Sequence, residues 1–280
     1  MSERPAGRGI GLAASLEGSD RRPVLVLGNS LGTSRDVWGP QLPALTARFR
    51  LVRFELPGHG AGPHHVPPGP YRLGDLGSGV LDLLDRYGID RASYAGISLG
   101  GMIGMWLAAH APARIAALGL CCTSAHLPPA SGWLDRAARV RKAGMAAITE
   151  QALARWFTPP FLRSSPPAAV LAAAMLESTD PEGYAGCCEA IAAMDLRSVL
   201  SSITAPTLVI AASEDPATPP AHGAVIARKV PGARLTVVRG ASHLANLQAP
   251  GPVTTALLAH LGSITRATSP GLPGLRAAPG

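Results

Sequence analysis

Residues 91–110 read RASYAGISLGGMIGMWLAAH. Within them Gly96-Ile97-Ser98-Leu99-Gly100 matches Gly-x-Ser-x-Gly, the pattern in which a serine stands on a sharp strand-to-helix turn with its Oγ above a sheet edge. The glycines two before and two after the serine crowd that turn, and a side chain at either would push strand and helix apart. The flanks agree. Residues 92–95 are short and mostly apolar, as at the end of a buried strand, and 102–109 form an apolar run that suits a buried helix ending near His110 and Pro112. A bare pentapeptide of this kind arises often by chance, but the strand and helix around it make Ser98 a candidate nucleophile rather than an ordinary turn serine.

Upstream, Val24-Leu25-Val26-Leu27 is a continuous β-favouring run, as expected of a central parallel strand buried on both faces. It leads into Gly28-Asn29-Ser30-Leu31-Gly32-Thr33. A strand-to-loop turn there can supply one backbone N–H to an oxyanion hole, from Leu31, with the second coming from Leu99 just after the candidate nucleophile. The turn has neither G-x-G-x-x-G nor a P-loop lysine, which argues against phosphate binding. A helix is expected over 38–47 and a strand over 51–54, followed by Glu55-Leu56-Pro57-Gly58-His59-Gly60 and a proline-rich loop over 61–70. His59, His64 and His65 invite a metal reading, but no Asp, Glu or Cys ligands accompany them at recognisable spacing, and a surface loop near the mouth of a site is preferred. Residues 73–87 place Leu73, Leu76, Val80, Leu83 and Leu84 at helical spacing, and Gly88 stops that helix before the Ser98 strand. The next strand, 115–120, completes the βαβα rhythm of an open, mostly parallel sheet.

Composition changes at about Cys122. Helical patterns over 133–147, 149–157, 168–176 and 183–194 are punctuated by Pro128-Pro129, Pro159-Pro160 and Pro166-Pro167, with no long β-rich run between them. A buried-strand pattern returns at Thr207-Leu208-Val209-Ile210-Ala211. The natural division is therefore an N-terminal arm or edge hairpin over 1–22, an α/β core over 23–122 and 201–263, a helical cap over 123–200, and a disordered tail over 264–280, poor in residues to bury. After the 207–211 strand comes Ala212-Ser213-Glu214-Asp215-Pro216, then a helix over 222–229, a strand over 235–238, Arg239-Gly240-Ala241-Ser242-His243, and a closing helix over 250–260.

Ser98, Asp215 and His243 thus occur in the order nucleophile, acid, base, each after an expected strand, so that all three can meet at one sheet edge. His243 would take the Ser98 proton and return it to the leaving oxygen, while Asp215 holds the imidazole tautomer. Glu214 competes for the acid role. His222 competes for the base, but it lies at the start of a helix and before the last strand, which favours His243.

The net charge of +7, from 25 basic and 18 acidic residues, suits a small anionic substrate as well as nonspecific polyanions. No basic run interleaved with aromatics supports a nucleic-acid partner, and the charge is read mainly as solvated surface. The four cysteines stand as two adjacent pairs, Cys121-Cys122 and Cys187-Cys188, unlike spaced zinc ligands. In a chain of 280 residues with a large core they read as free thiols of a reducing cytoplasm, and a disulfide between the pairs is not required. No secretory pattern and no run of 18 strongly apolar residues is seen, so neither export nor a membrane association is expected. The apolar helices suit a core or a partner face equally, which leaves the oligomeric state open.

From Val24 to Leu258 the chain resembles the 3-oxoadipate enol-lactonase family of α/β-hydrolases. The Ser98 elbow and the Pro57-Gly58-His59-Gly60 loop recur through the superfamily. More particular to enol-lactonases are Asn29-Ser30-Leu31-Gly32, the cap stretch Gly183-Tyr184-Ala185-Gly186-Cys187-Cys188-Glu189-Ala190, and His243-Leu244-Ala245-Asn246. The resemblance implies the α/β-hydrolase fold with an inserted helical cap, and hydrolysis of a small anionic enol-lactone to 3-oxoadipate in the β-ketoadipate branch of aromatic-acid breakdown. It implies Ser98 as nucleophile, Asp215 rather than Glu214 as acid, His243 as base, and no cofactor. A general carboxylesterase or another small-lactone hydrolase is the competing enzyme, and a non-catalytic binding protein on the same fold is the competitor from another class. Some relatives carry a decarboxylase domain after the hydrolase; decarboxylation is not expected here. One departure is Ala212-Ser213-Glu214-Asp215, where family members more often have a glycine at the start of the acid loop. For the substrate carboxylate, the cap residues Arg136 and Arg139, with Trp133 nearby, are candidates for a pocket roof and equally for solvent-facing positions.

Overall fold

The computed structural model describes residues 10–60, 66–164 and 166–268, with side chains at 165–166 and beyond 262 left aside. Seven strands form one sheet in the order β1-β3-β2-β4-β5-β6-β7: β1 Ala14–Glu17, β2 Val24–Gly28, β3 Arg50–Phe54, β4 Ala92–Ile97, β5 Ile115–Cys121, β6 Thr207–Ala212 and β7 Arg234–Val238. All neighbours are parallel except β1, which pairs antiparallel with β3. The expected edge hairpin is therefore an edge strand, because Ala14–Glu17 crosses to β3 instead of folding onto the adjacent β2. β4 is buried along its whole length, and β2 along all but its first residue, as their unbroken apolar runs require.

Between the strands lie α1 Leu42–Thr46, α2 Leu73–Arg86, α3 Leu99–His110, the cap helices α4 Ala130–Ala143, α5 Thr149–Trp156, α6 Pro159–Ser164, α7 Pro166–Glu177 and α8 Pro181–Ala192, and α9 Pro220–Lys229; α10 Ala245–Gln248 and α11 Pro250–Thr268 follow β7. α3 is apolar all round and runs against β4, β5 and β2, whereas α2 is amphipathic and its start is fixed by the Arg72 N–H donating to the Asp75 carboxylate at 2.7 Å. The helix expected over 38–47 is split: Pro40 sits inside a 3-10 turn, Arg35–Gln41, and only Leu42–Thr46 is α-helical. α6 begins at Pro159-Pro160, where the sequence suggests only punctuation; proline is compatible with a first helical turn. α11 continues to Thr268, so 264–268, expected to be disordered, are helical, and the rest of that tail lies outside the described residues.

All helices between β5 and β6 belong to the cap, and its last helix explains the small residues of Gly183-Tyr184-Ala185-Gly186. A Cβ at Gly183 would come within 2.3 Å of the Pro57 carbonyl oxygen, and one at Gly186 within 2.4 Å of the Tyr71 ring. Asp180 caps α8 by accepting from the N–H groups of Glu182 and Gly183, and its own N–H donates to Gly58 O at 2.7 Å. The Pro57-Gly58-His59-Gly60 loop of the core and α8 of the cap are thus pressed together, with Tyr184 turned toward the space between them and α4.

Candidate active site

Ser98 follows β4 and caps α3 with φ 54° and ψ −117°, a left-handed conformation that a non-glycine residue holds only under tertiary constraint. The constraint is visible. Ser98 N–H donates to Cys121 O at 2.9 Å, and Ser98 O accepts from Thr123 Oγ1 at 2.7 Å and from Met102 N–H at 3.0 Å. A Cβ at Gly96 would lie 2.4 Å from the backbone of Gly100, and one at Gly100 would lie 2.4 Å from the carbonyl of Gly28. Three glycines from β2, β4 and α3 therefore meet at the turn, which is the physical content of the motif's spacing.

The serine has the partners expected from the chain order. Its Oγ is 2.9 Å from His243 Nε2, and His243 Nδ1 is 2.8 Å from Asp215 Oδ2. All three residues are buried. Asp215 is held in turn: Oδ1 accepts from the N–H groups of Ala217 and Thr218 at 2.8 and 2.9 Å, and Oδ2 from Thr218 Oγ1 at 2.7 Å. Burial works to raise the affinity of this carboxyl for a proton, but the charge and hydrogen bond of His243 and the Thr218 donors outweigh it and hold Asp215 below the ordinary carboxylate range. Glu214 is exposed, its carboxylate accepting from Ser213 Oγ, and only its backbone serves the site, bonding to Ala241 and Ser242. His222 is on α9 and does not take the place of His243. The Ala212-Ser213 departure needs no glycine: neither residue has a positive φ, and Ser213 Oγ accepts the Gly240 N–H at 2.9 Å, joining the acid loop to the His243 loop.

Leu31 follows β2 and Leu99 opens α3, and among the described residues the N–H of neither is spent on an acceptor. Leu99 N–H is also one of the unpaired donors at the N-terminus of a buried helix, where partial positive charge concentrates. The Leu31 loop is pinned from behind. Gly32 N–H donates to His59 Nε2 at 2.9 Å, and His59 Nδ1 lies 2.8 Å from Pro57 O, so the imidazole joins two loops with both ring nitrogens engaged. That occupation answers the metal reading of His59; His64 and His65 lie outside the described residues. Among the described residues no group of three or more His, Cys, Asp or Glu side chains could hold a metal ion.

A cavity of about 450 Å³ opens between core and cap, lined among others by Leu31, Ser98, His243, Trp133, Arg136 and Arg155. Of the candidates for its roof, Trp133 and Arg136 are there: the Arg136 guanidinium stands over the Trp133 ring at 5.3 Å and is 3.5 Å from Tyr184 Oη. Arg139 is not. One turn further along α4, it is solvent-exposed and does not line the cavity, because Ala137 and Val140 are the residues of that turn that face inward. Arg155 of α5 lines the cavity in its stead. Its signal in the sequence is faint but real: Ala152, Arg155 and Trp156 stand at i, i+3 and i+4, one helix face, and all three line the cavity. The four cysteines are free and buried, and burial pushes Cys121 and Cys188 up to about 12, which leaves them unreactive packing residues.

A family model described as alpha/beta hydrolase fold matches residues 23–250. The chain is 39% identical to 3-oxoadipate enol-lactonase 2 of Acinetobacter baylyi over 83% of its own length and 86% of that protein. Among solved structures it is similar to a hydrolase from Pseudomonas aeruginosa, with TM-score 0.86 and 45% identity over 90% of this chain and 94% of the other. The enol-lactonase from Burkholderia xenovorans LB400 superimposes with TM-score 0.87 at 37% identity, covering 90% of this chain and 96% of that one. The chain belongs to the α/β-hydrolase family and, within it, to the 3-oxoadipate enol-lactonases. It is a hydrolase. No helix among the described residues is long and apolar enough to cross a membrane.

Proposed function

We propose that this enzyme hydrolyses 3-oxoadipate enol-lactone to 3-oxoadipate with Ser98, His243 and Asp215 as its triad, in the cytoplasm, as a step in the β-ketoadipate breakdown of aromatic acids. The observation that carries the reading is the unbroken hydrogen-bonded line from Ser98 Oγ through both nitrogens of His243 to Asp215, opening into a cavity of about 450 Å³. The names of the relatives supply the substrate. The four free thiols are in keeping with a reducing compartment.

In this mechanism Ser98 Oγ attacks the lactone carbonyl while His243 Nε2 takes the hydroxyl proton, and Asp215 stabilises the imidazolium that forms. The oxygen that gains charge sits between the N–H groups of Leu31 and Leu99; losing one such donor typically costs about 3 to 4 kcal/mol in the barrier. Collapse breaks the ring C–O bond, and His243 protonates the departing enol oxygen. The enol then becomes a ketone, which removes the nucleophile that could close the ring again. Water, deprotonated by His243, cleaves the acyl-enzyme and leaves the second carboxylate of the product.

The test is turnover of freshly generated enol-lactone by the purified protein. Wild type should be active, and Ser98→Ala should lose roughly 10⁴-fold or more in kcat while keeping its thermal midpoint. Normal turnover by Ser98→Ala would remove the triad. Activity on simple aryl esters far above that on the enol-lactone would favour a general carboxylesterase, and failure of a serine-directed phosphonate to label Ser98 would favour a non-catalytic binding protein.

A further inference from the structure

We infer that Arg155 is the residue that makes the site selective for substrates carrying a carboxylate, closing with Arg136 on the anion as a two-guanidinium clamp; the inference rests on the hydrolase reading above. Both side chains line the cavity that holds Ser98 and His243. Arg53, almost buried, has Glu17 and Asp36 as carboxylate partners, and the partly buried Arg35 and Arg114 have Glu55 and Asp85. Among the described residues, Arg136 and Arg155 form no ion pair, although they stand in the same cavity. Burial, and then the nearby positive charge of Arg136, lower the affinity of Arg155 for its proton. Two half-buried guanidiniums in one cavity without a counter-ion are an unfavourable arrangement that one bound carboxylate relieves.

The clamp is also tied to the chemistry. Arg155 O accepts from Ser242 Oγ at 2.9 Å and Trp156 O accepts from Leu244 N–H at 3.0 Å, so the two residues on either side of His243 are bonded to the two at the end of α5. A carboxylate gripped by the Arg155 side chain is therefore placed with respect to the imidazole through one short, hydrogen-bonded stretch of backbone. Arg136, with its plane on Trp133 and one N–H toward Tyr184 Oη, keeps further N–H groups for the same anion. These backbone bonds do not depend on the identity of side chain 155, so the substitution tests the guanidinium and not the loop.

The experiment compares the enol-lactone with α-angelica lactone, the same ring bearing a methyl group where the substrate has its carboxymethyl, in wild type, Arg155→Gln, Arg155→Lys and Arg136→Gln. The ratio of kcat/KM for the anionic to the neutral lactone should fall about 10- to 100-fold in Arg155→Gln, mostly through KM, and be partly restored in Arg155→Lys. A ratio within about twofold of wild type overturns the inference. If wild type hydrolyses neither lactone, the function proposed above fails, and the clamp is then read by calorimetric titration of levulinate into wild type and Arg155→Gln. Binding weakened at least about tenfold by the substitution supports it; absent binding to wild type, or equal binding to both, overturns it.

Discussion

Ser98 and Glu55 both stand in unfavourable situations, Ser98 at the turn between β4 and α3 and Glu55 behind the loop that follows β2. Ser98 holds its left-handed backbone at a cost of about 1 to 3 kcal/mol, offset by the sheet and helix packed around it. Glu55 is buried behind the Leu31 loop, where it accepts from the Arg35 N–H at 3.0 Å, reaches Asn29 Nδ2 at 3.4 Å, and has the Arg35 guanidinium at 3.6 Å. Burial dominates over those donors and raises its pKa from the ordinary 4.5 to about 7. The sign follows. Between pH 4.5 and 7 the folded protein holds a proton there that the unfolded chain has released, so Glu55 makes the protein less stable as pH rises through that window. Comparing wild type with Glu55→Gln by urea unfolding at pH 5 and pH 8, the balance should shift toward the variant by about 1 to 3 kcal/mol at the higher pH. A pH-independent difference would show that this carboxyl titrates normally. Asp215 acts in the opposite direction: its lowered pKa contributes stability above the unfolded carboxylate range that is lost as pH falls through the folded value.

At the scale of elements, two junctions decide whether the side chains meet. The first is the contact of β2, β4 and α3. Because a Cβ at Gly100 would stand 2.4 Å from backbone atoms that cannot move independently, Gly100→Ala should destabilise the protein by about 2 kcal/mol or more. Denaturant midpoints check this, and a change below about 0.5 kcal/mol would mean that strand and helix separate easily. The second junction joins the cap to the His243 loop. Gln248 Oε1 accepts from Ser242 N–H and Thr158 N–H, and Nε2 donates to Thr158 Oγ1 and Gly240 O. Gln248→Ala releases all four bonds and should cost about 1 to 3 kcal/mol of stability together with a lower kcat, because the imidazole loses part of its frame. Unchanged kcat in a destabilised variant would restrict Gln248 to a structural role.

For the whole molecule, cap and core are held by close backbone approach at Gly183 and Gly186 rather than by charge. The Arg141 pairs with Glu182 and Glu189 lie at the surface, so Arg141→Ala should change stability by less than about 1 kcal/mol at physiological salt, as thermal melts would register. A larger loss would make that network a principal brace between α4 and α8 within the cap. The mostly parallel sheet, the helices between β5 and β6, and the meeting of Ser98, His243 and Asp215 were legible because each rests on local chemistry: unbroken apolar runs, paired prolines, and a serine between two glycines. The split of the 38–47 helix was less legible, since Pro40 permits either outcome until the neighbours are known. On the cap side, the lining of the cavity was legible only at Trp133 and Arg136. Arg139 and Arg155 carry the same charge on neighbouring helices, and the one local signal, Ala152, Arg155 and Trp156 on a single face of α5, does not say what that face meets. The chain alone thus determined the succession of strands and helices and nominated Ser98, Asp215 and His243, because periodicity and turn chemistry act over a few residues. Only the tertiary structure decided which guanidinium faces the serine, because helix rotation is set by packing between segments far apart in the chain.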